Sequence, residues 1–436
     1  METLGWSHPL TSVFVLSVAA FTPRPLRRKM WRSLCQSLLA VTFFGIVVGD
    51  LPVSPMDGPH SGSSTLEDRD LALSNTDFAL TLFKHLKALE PGKNVFVSPV
   101  SISIAFALLS LGAKNATLAQ ILEGFRFNTT VGRAEAIHEG FHHLRRRLKA
   151  SDAALDLGSA LFVDEKIKIL ELFVTDATKY YEAEAHPVNF GDLEGVRKQI
   201  NEYVANQTHG NIPELFKQLD ERSIMILISY IHFLGEWIKP FDLKRTTEDT
   251  FHIAENLTVK VPMMFQFATF KHLFDDQLPC VVVQMEYKGN VTALFVLPDE
   301  GKMEEVEAGL SIDTMMRWSS SFDESQLEVY LPKFSISGTY ELRPVLNKMG
   351  VRDLFSDRVD LSGLSEEKLV LSKVVHKAVL HVDEKGTEAA GATGMEIMPV
   401  MLPPSVTFNR PFLVLIFEDF TWSTLFLGKV LNPTEV

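Results

Sequence analysis

Apolar residues recur at helical spacing in some stretches of the chain and in β-branched or aromatic runs in others. Phe78, Ala79, Leu82, Phe83 and Leu86 return every three or four residues behind a capping residue at Asn75 or Thr76, and Pro91-Gly92 stops that helix. Residues 98–112 are nearly all apolar or small, the pattern of a helix buried on most sides. Further helical periods cover Glu165 to Tyr181, Gly195 to Thr208, Lys302 to Ser319 and Tyr340 to Met349. Between them, SALFVD, IMILISYIHFLGEW, CVVVQMEYKGNVTALFVLPD, QLEVYLPKFSIS, KLVLSKVVHKAVLHVDE, PFLVLIF and LFLGKV read as strands bounded by turn residues. There is no internal repeat and no second linker, so these elements predict one mixed α+β domain over residues 74–436. Residues 50–73 are rich in Pro, Gly, Ser and acids and read as a flexible N-terminal segment.

The first 49 residues follow a different logic. Arg27, Arg28, Lys29, Met30, Trp31 and Arg32 lead into SLLAVTFFGIVVG, an apolar run too short for a comfortable membrane span, with Val47 and Gly49 forming a small-residue cleavage site before Asp50. Residues 1–49 therefore read as an upstream extension plus a signal peptide starting at Met30, with a signal anchor as the competing reading. Cleavage removes Cys35 and leaves Cys280 alone, so no disulfide framework is available. Sequons at Asn115, Asn128, Asn206, Asn256 and Asn290 add to the expectation of a secreted, extracellular glycoprotein. The 436-residue chain is 46% hydrophobic with a net charge of -13, a globular composition without general attraction to nucleic acid.

Catalytic signatures are few. GxSxG, a Walker loop, a helix-opening GxGxxG and paired CxxC are all missing from the sequence, so no enzyme activity is expected. HEGFH, His138 to His142, matches the zinc-protease pattern HExxH. Its internal Gly140 and the cationic sequel HLRRRLK oppose Zn²⁺, and the histidines read as polar residues of a surface helix. Arg145, Arg146, Arg147 and Lys149 are the densest positive cluster, read either as a solvated face or as a dock for a heparin-like sulfated glycosaminoglycan.

The stretch Gly386 to Pro404, GTEAAGATGMEIMPVMLPP, looks like a linker but stands between two strand-like segments. At a strand period of two, Thr387, Ala389, Gly391, Thr393, Met395 and Ile397 project to one face, while Glu388 and Glu396 project to the other. It can therefore enter a sheet with its small side chains inward and its acids outward.

The blocks NVFVSPVSISIAFALLSLGA, YIHFLGEWIKPF, VKVPMM, FVLPDEGKM, LPKFSISGTYEL, SKVVHKAVLHVDEKGTEAAGA, FNRPFL and LFLGKVLNP resemble the serpin superfamily from about Asn75 to Pro433, within the plasma clade of alpha-1-antitrypsin and corticosteroid-binding globulin. The resemblance implies a serpin fold, with three β-sheets surrounded by eight or nine helices and an exposed reactive loop at 386–404. It implies a monomer without cofactor or metal, with no nucleic-acid or membrane partner. In its inhibitory form a serine protease cleaves the loop, which then inserts into the main sheet and traps the enzyme. Glu384, Gly386, Thr387, Glu388, Ala389, Ala390, Gly391 and Ala392 match the inhibitory hinge. An ungapped count places the reactive bond at Val400-Met401, suited to an elastase-like pocket; a bond shifted to Met401 or Met398 suits a chymotrypsin-like one. Ser98, Ser101 and His376 match the shutter beneath the main sheet. Trp237 and a Lys302–Glu384 pair match the breach at its top, while Ser229 replaces the usual Asn. The alternative implied by the same resemblance is a non-inhibitory carrier of a steroid-like ligand: Gln266, Phe417 and Trp422 match pocket positions, with Ile312 and Met316 replacing polar residues. A serpin serving only as substrate or chaperone is a third form.

Overall fold

A computed structural model of the protein describes residues 66–127, 134–151, 153, 155–220, 223–385 and 403–435. The leader, Asn128, the hinge residues Gly386 to Ala392 and the bond Val400-Met401 lie outside the described residues.

The helices among the described residues are α1 (Leu66–Leu89), α2 (Pro99–Ser110), α3 (Asn115–Gly124), α4 (Ala134–Ala150), α5 (Glu171–Tyr181), α6 (Leu193–Gln207), α7 (Met303–Gly309), α8 (Ile312–Ser321) and α9 (Arg343–Lys348). The strands are β1 (Val95–Val97), β2 (Leu155–Asp164), β3 (Glu184–Val188), β4 (Met225–Phe233), β5 (Thr247–Ala254), β6 (Leu257–Asp275), β7 (Cys280–Tyr287), β8 (Val291–Pro298), β9 (Asp323–Pro332), β10 (Phe334–Glu341), β11 (Lys373–Val382), β12 (Ser405–Thr407), β13 (Phe412–Glu418) and β14 (Thr424–Val430). One sheet runs β10-β11-β4-β2-β3. The other strands form two further layers, β1-β14-β13-β8-β7-β6 and β5-β6-β9-β12, joined because the long β6 belongs to both. The expected architecture, α+β with three sheets, is present.

Strand β4 explains why MILISYIHF is almost continuously apolar: all nine of its residues are buried. Leu227, Ile231 and Phe233 join the larger core, while Ile226, Ile228 and Tyr230 pack with Val196, Ile200 and Val204 of α6 on the opposite face. Both faces of the sheet are covered, so the alternation typical of a half-solvated strand disappears.

Several boundaries differ from the sequence reading, among them the start of the helix expected at Tyr340, which belongs to β10 and leaves α9 to begin at Arg343. Helix α1 begins at Leu66, so residues 66–73 belong to the folded body and not to a flexible segment. Asn75 is no cap: its buried amide donates to the Thr424 carbonyl at 3.0 Å and accepts from Ser103 Oγ at 3.0 Å, tying α1 to β14 and α2. Residues 302–319 form two helices, because Ser311 caps α8 by accepting from Thr314 N–H at 3.1 Å. Helix α5 starts at Glu171, since Ile169 bridges to Ser365 and Leu170 N–H donates to Leu364 O. Among the described residues no helix is long and apolar enough to cross a membrane.

Candidate functional site

Two places in this fold gather residues singled out in the sequence: the seam between β4 and β11, and a cavity beside Trp422.

Strands β4 and β11 are parallel and paired directly from Lys373–Ile226 to Leu380–Phe233, with no strand between them. Beneath this seam Ser98, Ser101, Ser229 and His376 come together, all buried. Ser98 N–H donates to His376 Nε2 at 3.1 Å, which makes that nitrogen an acceptor. Nδ1–H then donates to Ser229 Oγ at 3.2 Å, Ser229 bonds Ser101 Oγ, and Ser101 reaches the Tyr230 carbonyl at 3.4 Å. The relay needs a neutral imidazole, and burial lowers the His376 pKa to about 3, so the ring is neutral. Ser229, standing where an Asn was expected, completes the network with its hydroxyl.

At the top of the seam Trp237 is buried, stacks on Tyr287 with ring centroids 3.9 Å apart, and donates Nε1–H to the Asp383 carbonyl at 2.9 Å. The expected Lys302–Glu384 pair is not formed. Lys302 Nζ bonds Glu305 at 2.7 Å on its own helix, whereas the buried Glu384 carboxylate accepts from Lys333 Nζ at 2.8 Å and Thr246 Oγ1 at 2.9 Å. Burial opposes its ionisation, but those two donors hold the Glu384 pKa below the usual carboxylate range. The lysine that pairs with Glu384 is therefore Lys333 of LPKFSIS, three residues from Tyr330 on the same strand run.

The second place is built on α8 and the β13–β14 turn. Arg317 makes a two-pronged ion pair with Asp275 at 2.7 and 2.8 Å, and Trp318 Nε1 donates to the same carboxylate at 2.6 Å. Those bonds fix α8 against β6 and turn its other face toward the turn that carries Trp422. The result is a cavity of about 420 Å³ walled by Leu294, Ile312, Met315, Met316, Phe417 and Trp422, with Phe420 and Asp419 beside them. The Phe417 and Trp422 ring centroids lie 5.8 Å apart, and Trp422 remains 44% exposed.

Trp422 sits at φ +60°, in the left-handed region that a bulky residue seldom occupies. Glu418 holds it there: Trp422 N–H donates to the Glu418 carbonyl at 2.9 Å, and the buried Glu418 carboxylate accepts from Thr421 N–H at 2.9 Å and from Thr421 Oγ1. Arg147 Nε approaches Glu418 Oε1 to 3.6 Å from α4. Glu418 positions this turn and was missed in the sequence; an acid inside the apolar run PFLVLIFED was the available signal.

Gln266 does not reach this cavity. Its amide donates to the Lys239 and Pro240 carbonyls at 3.0 and 2.8 Å, on the Trp237 side of the fold. The glutamine that shares a cleft with Trp422 and Asp419 is Gln284.

The remaining predicted residues are dispersed. His138 is buried and bonds Tyr181 Oη at 2.6 Å through Nδ1, and His142 Nδ1 faces the Tyr180 carbonyl at 3.3 Å, so the two histidines of HEGFH have separate partners. Gly140 between them permits close packing on α1, where a Cβ would meet Leu71 Cδ2 at 2.7 Å. Burial lowers the His138 pKa to about 4. The basic cluster on the same helix is divided: Arg145 and Lys149 turn to Glu182 at 3.8 and 2.9 Å, Arg147 to Asp68 and Glu418, and Arg146 is exposed. It is not a continuous cationic surface. Of the described sequons, Asn256 lies in the β5–β6 turn with Thr258 also exposed. Thr117, Thr208 and Thr292, which complete those of Asn115, Asn206 and Asn290, are buried.

With this geometry in place, comparisons with known proteins define the class. The family model described as serpin (serine protease inhibitor) matches residues 73–433, and the chain belongs to that family. The chain is 52% identical over 369 residues to corticosteroid-binding globulin of Bos taurus, covering 84% of this chain and 91% of that one. It is 45% identical over 405 residues to alpha-1-antiproteinase 2 of Equus caballus, covering 92% and 96%. The solved complex of thyroxine-binding globulin with thyroxine superposes with a TM-score of 0.79 at 42% identity, covering 84% of this chain and all of that one.

Proposed function

We propose that this serpin is a non-inhibitory carrier of a small, rigid, steroid-like hydrophobic ligand, held in the Trp422 cavity. The observation that carries this reading is the cavity itself: about 420 Å³ of apolar wall with an exposed indole, within the range of small-molecule sites. The names of two relatives, corticosteroid-binding globulin and thyroxine-binding globulin, describe carriers and support the same reading. The binding step is burial of an apolar ring system against Trp422, Phe417, Met315 and Leu294, driven by area removed from water and by contact with the indole face. Titration with cortisol, read as quenching of tryptophan fluorescence, tests it: saturable quenching that disappears in Trp422→Phe is expected, and no quenching by any neutral steroid would sink the reading.

A second reading, inhibition of an elastase-like or chymotrypsin-like extracellular serine protease, is favoured by one specific feature. The small residues of 386–392 suit insertion, and β11 ends directly before them, beside the seam they would enter. Incubation with neutrophil elastase, proteinase 3 and chymotrypsin separates the two readings. An SDS-stable complex with cleavage at Val400-Met401 supports inhibition; cleavage without a complex supports the carrier or substrate form. Residues 30–49 and the exposed Asn256 sequon support a secreted glycoprotein.

A further inference from the structure

The Trp422 site has two chambers. The apolar one is continuous, through Ser319, Asp419 and Trp422, with a second cavity of about 370 Å³ that adds Lys271, Gln284, Glu286, Thr292 and Glu324. On α8, Ile312, Met315 and Met316 present apolar groups to the cavity and the Ser319 hydroxyl is spent on the Met316 carbonyl at 2.8 Å, so the charged partner for a ligand's polar end lies toward Asp419 and the second chamber. The charges there are unbalanced. Glu286, Glu324 and Asp419 face a single Lys271, whose Nζ lies 3.6 Å from Glu286 Oε1. Arg69 lines the opposite, α1 side of the apolar chamber, and Glu418 is turned away toward Thr421 and Arg147.

We infer that Asp419 sets the ligand class of this site: a rigid apolar molecule whose polar end is a hydroxyl or protonated amine directed at the Asp419 carboxylate, with apolar carboxylates rejected. The inference rests on the carrier reading above. An ionised carboxylate accepts hydrogen bonds and donates none, so it pairs with a hydroxyl or ammonium and repels a second carboxylate at the same wall. The low-dielectric chamber beside it strengthens both effects relative to water. Burial raises the Asp419 carboxyl to about 6, with Glu418 and Glu286 acting in the same direction and the Thr292 hydroxyl and Lys271 opposing. Asp419 is therefore mostly ionised in neutral fluid and becomes a donor in mild acid, where the rejection of carboxylates relaxes.

Three probes with one ring skeleton test this on the full-length secreted protein: cortisol, the hydroxyl-free 3-oxo-androst-4-ene-17-carboxylate, and a 3-aminosteroid. Each is titrated by tryptophan quenching at pH 7.4 and 5.0 against wild type, Asp419→Asn and Trp422→Phe. At pH 7.4 the hydroxyl and amine probes are expected to bind about tenfold or more tightly than the carboxylate, a difference of about 1.4 kcal/mol. That gap should close to within about threefold in Asp419→Asn and narrow at pH 5.0 in wild type. Equal binding of the carboxylate probe and cortisol to wild type overturns the inference and leaves the carrier reading standing. An unchanged ranking in Asp419→Asn overturns it too, by moving selectivity to another residue. If none of the probes quenches Trp422, the carrier reading fails and this inference fails with it.

Discussion

The β4–β11 seam and the Trp422 cavity treat space and polarity in opposite ways. Beneath the seam Ser98, His376, Ser229 and Ser101 pass hydrogen bonds from one to the next, and the strands above them are paired without a gap. At the cavity, apolar side chains face a space that no described side chain fills, and a tryptophan is held half-exposed in a rare backbone conformation. The seam closes on itself, whereas the cavity leaves apolar surface open. Stability and ligand binding are therefore expected to respond to different residues, and each experiment below perturbs one without the other.

The largest effect is expected from His376→Leu. It strips the acceptor from Ser98 N–H and the donor from Ser229, leaving buried polar groups unpaired at a cost of about 3 kcal/mol in unfolding free energy. Cortisol affinity should stay within about twofold, since the seam does not line the cavity. Wild type should also lose stability as pH falls from about 6.5 toward 3. The unfolded imidazole binds a proton near its ordinary value, while the folded His376 resists until about 3, so the unfolded state gains protons first. The slope for one such group is about 1.4 kcal/mol per pH unit, and His138, lowered to about 4, adds to it. Urea unfolding between pH 7 and 5 should show a shallower slope in His376→Leu; an unchanged slope would refute the assignment.

Trp422→Ala is the converse experiment. The side chain is 44% exposed and lies at the edge of the core, so the unfolding midpoint should barely move. Ligand affinity should fall by about 2 kcal/mol or more, roughly thirtyfold, as expected for an aromatic anchor. A large drop in stability with intact binding would reverse the contrast between the two regions. Glu418→Gln should have an intermediate effect. It keeps an oxygen for Thr421 but removes the charge facing Arg147, loosening the turn that presents the indole. An affinity loss of about fivefold, or 1 kcal/mol, with a shifted Trp422 emission maximum is the expected signature.

The two regions also differ in how much of them the sequence discloses. The seam is written in contiguous blocks with long apolar runs, so its strands, the shutter residues and Trp237 follow from pattern and resemblance. The cavity is assembled from short pieces of α1, β8, α8 and the β13–β14 turn, and no single block contains it. Phe417 and Trp422 were recognisable as aromatics, but which glutamine accompanies them depends on the course of β6 and β7. Gln266 and Gln284 both line the cleft beside Trp237; only the fold shows that Gln284 alone also reaches the cleft beside Trp422. Strand β6 itself, Leu257–Asp275, left a weak trace because it changes sheet midway and buries different faces along its length. Asn75 looked like a cap because Asn favours caps, and tertiary hydrogen bonds overrode that preference.

The same limit applies to Lys302 and Lys333, which sequence alone does not rank as partners for Glu384, and the smallest predicted effects come from replacing them. Lys333 is 44% exposed, but the carboxylate it meets is 5% exposed and buried beside Thr246. Lys333→Ala thus leaves a buried charge with one fewer donor, and solvent reaching the lysine limits the loss to about 1 kcal/mol. Lys302 joins Glu305 across one turn of α7 in open solvent, an arrangement that salt and side-chain entropy nearly cancel. Lys302→Ala should therefore leave the urea midpoint indistinguishable from wild type. A double-mutant cycle decides between the two lysines: coupling to Glu384→Gln is expected for Lys333 and zero for Lys302. Coupling at Lys302 would restore the pair read from the sequence. It would also require the upper end of β11, the part of the seam nearest residue 386, to be held from the α7 side instead of from β9 and β10.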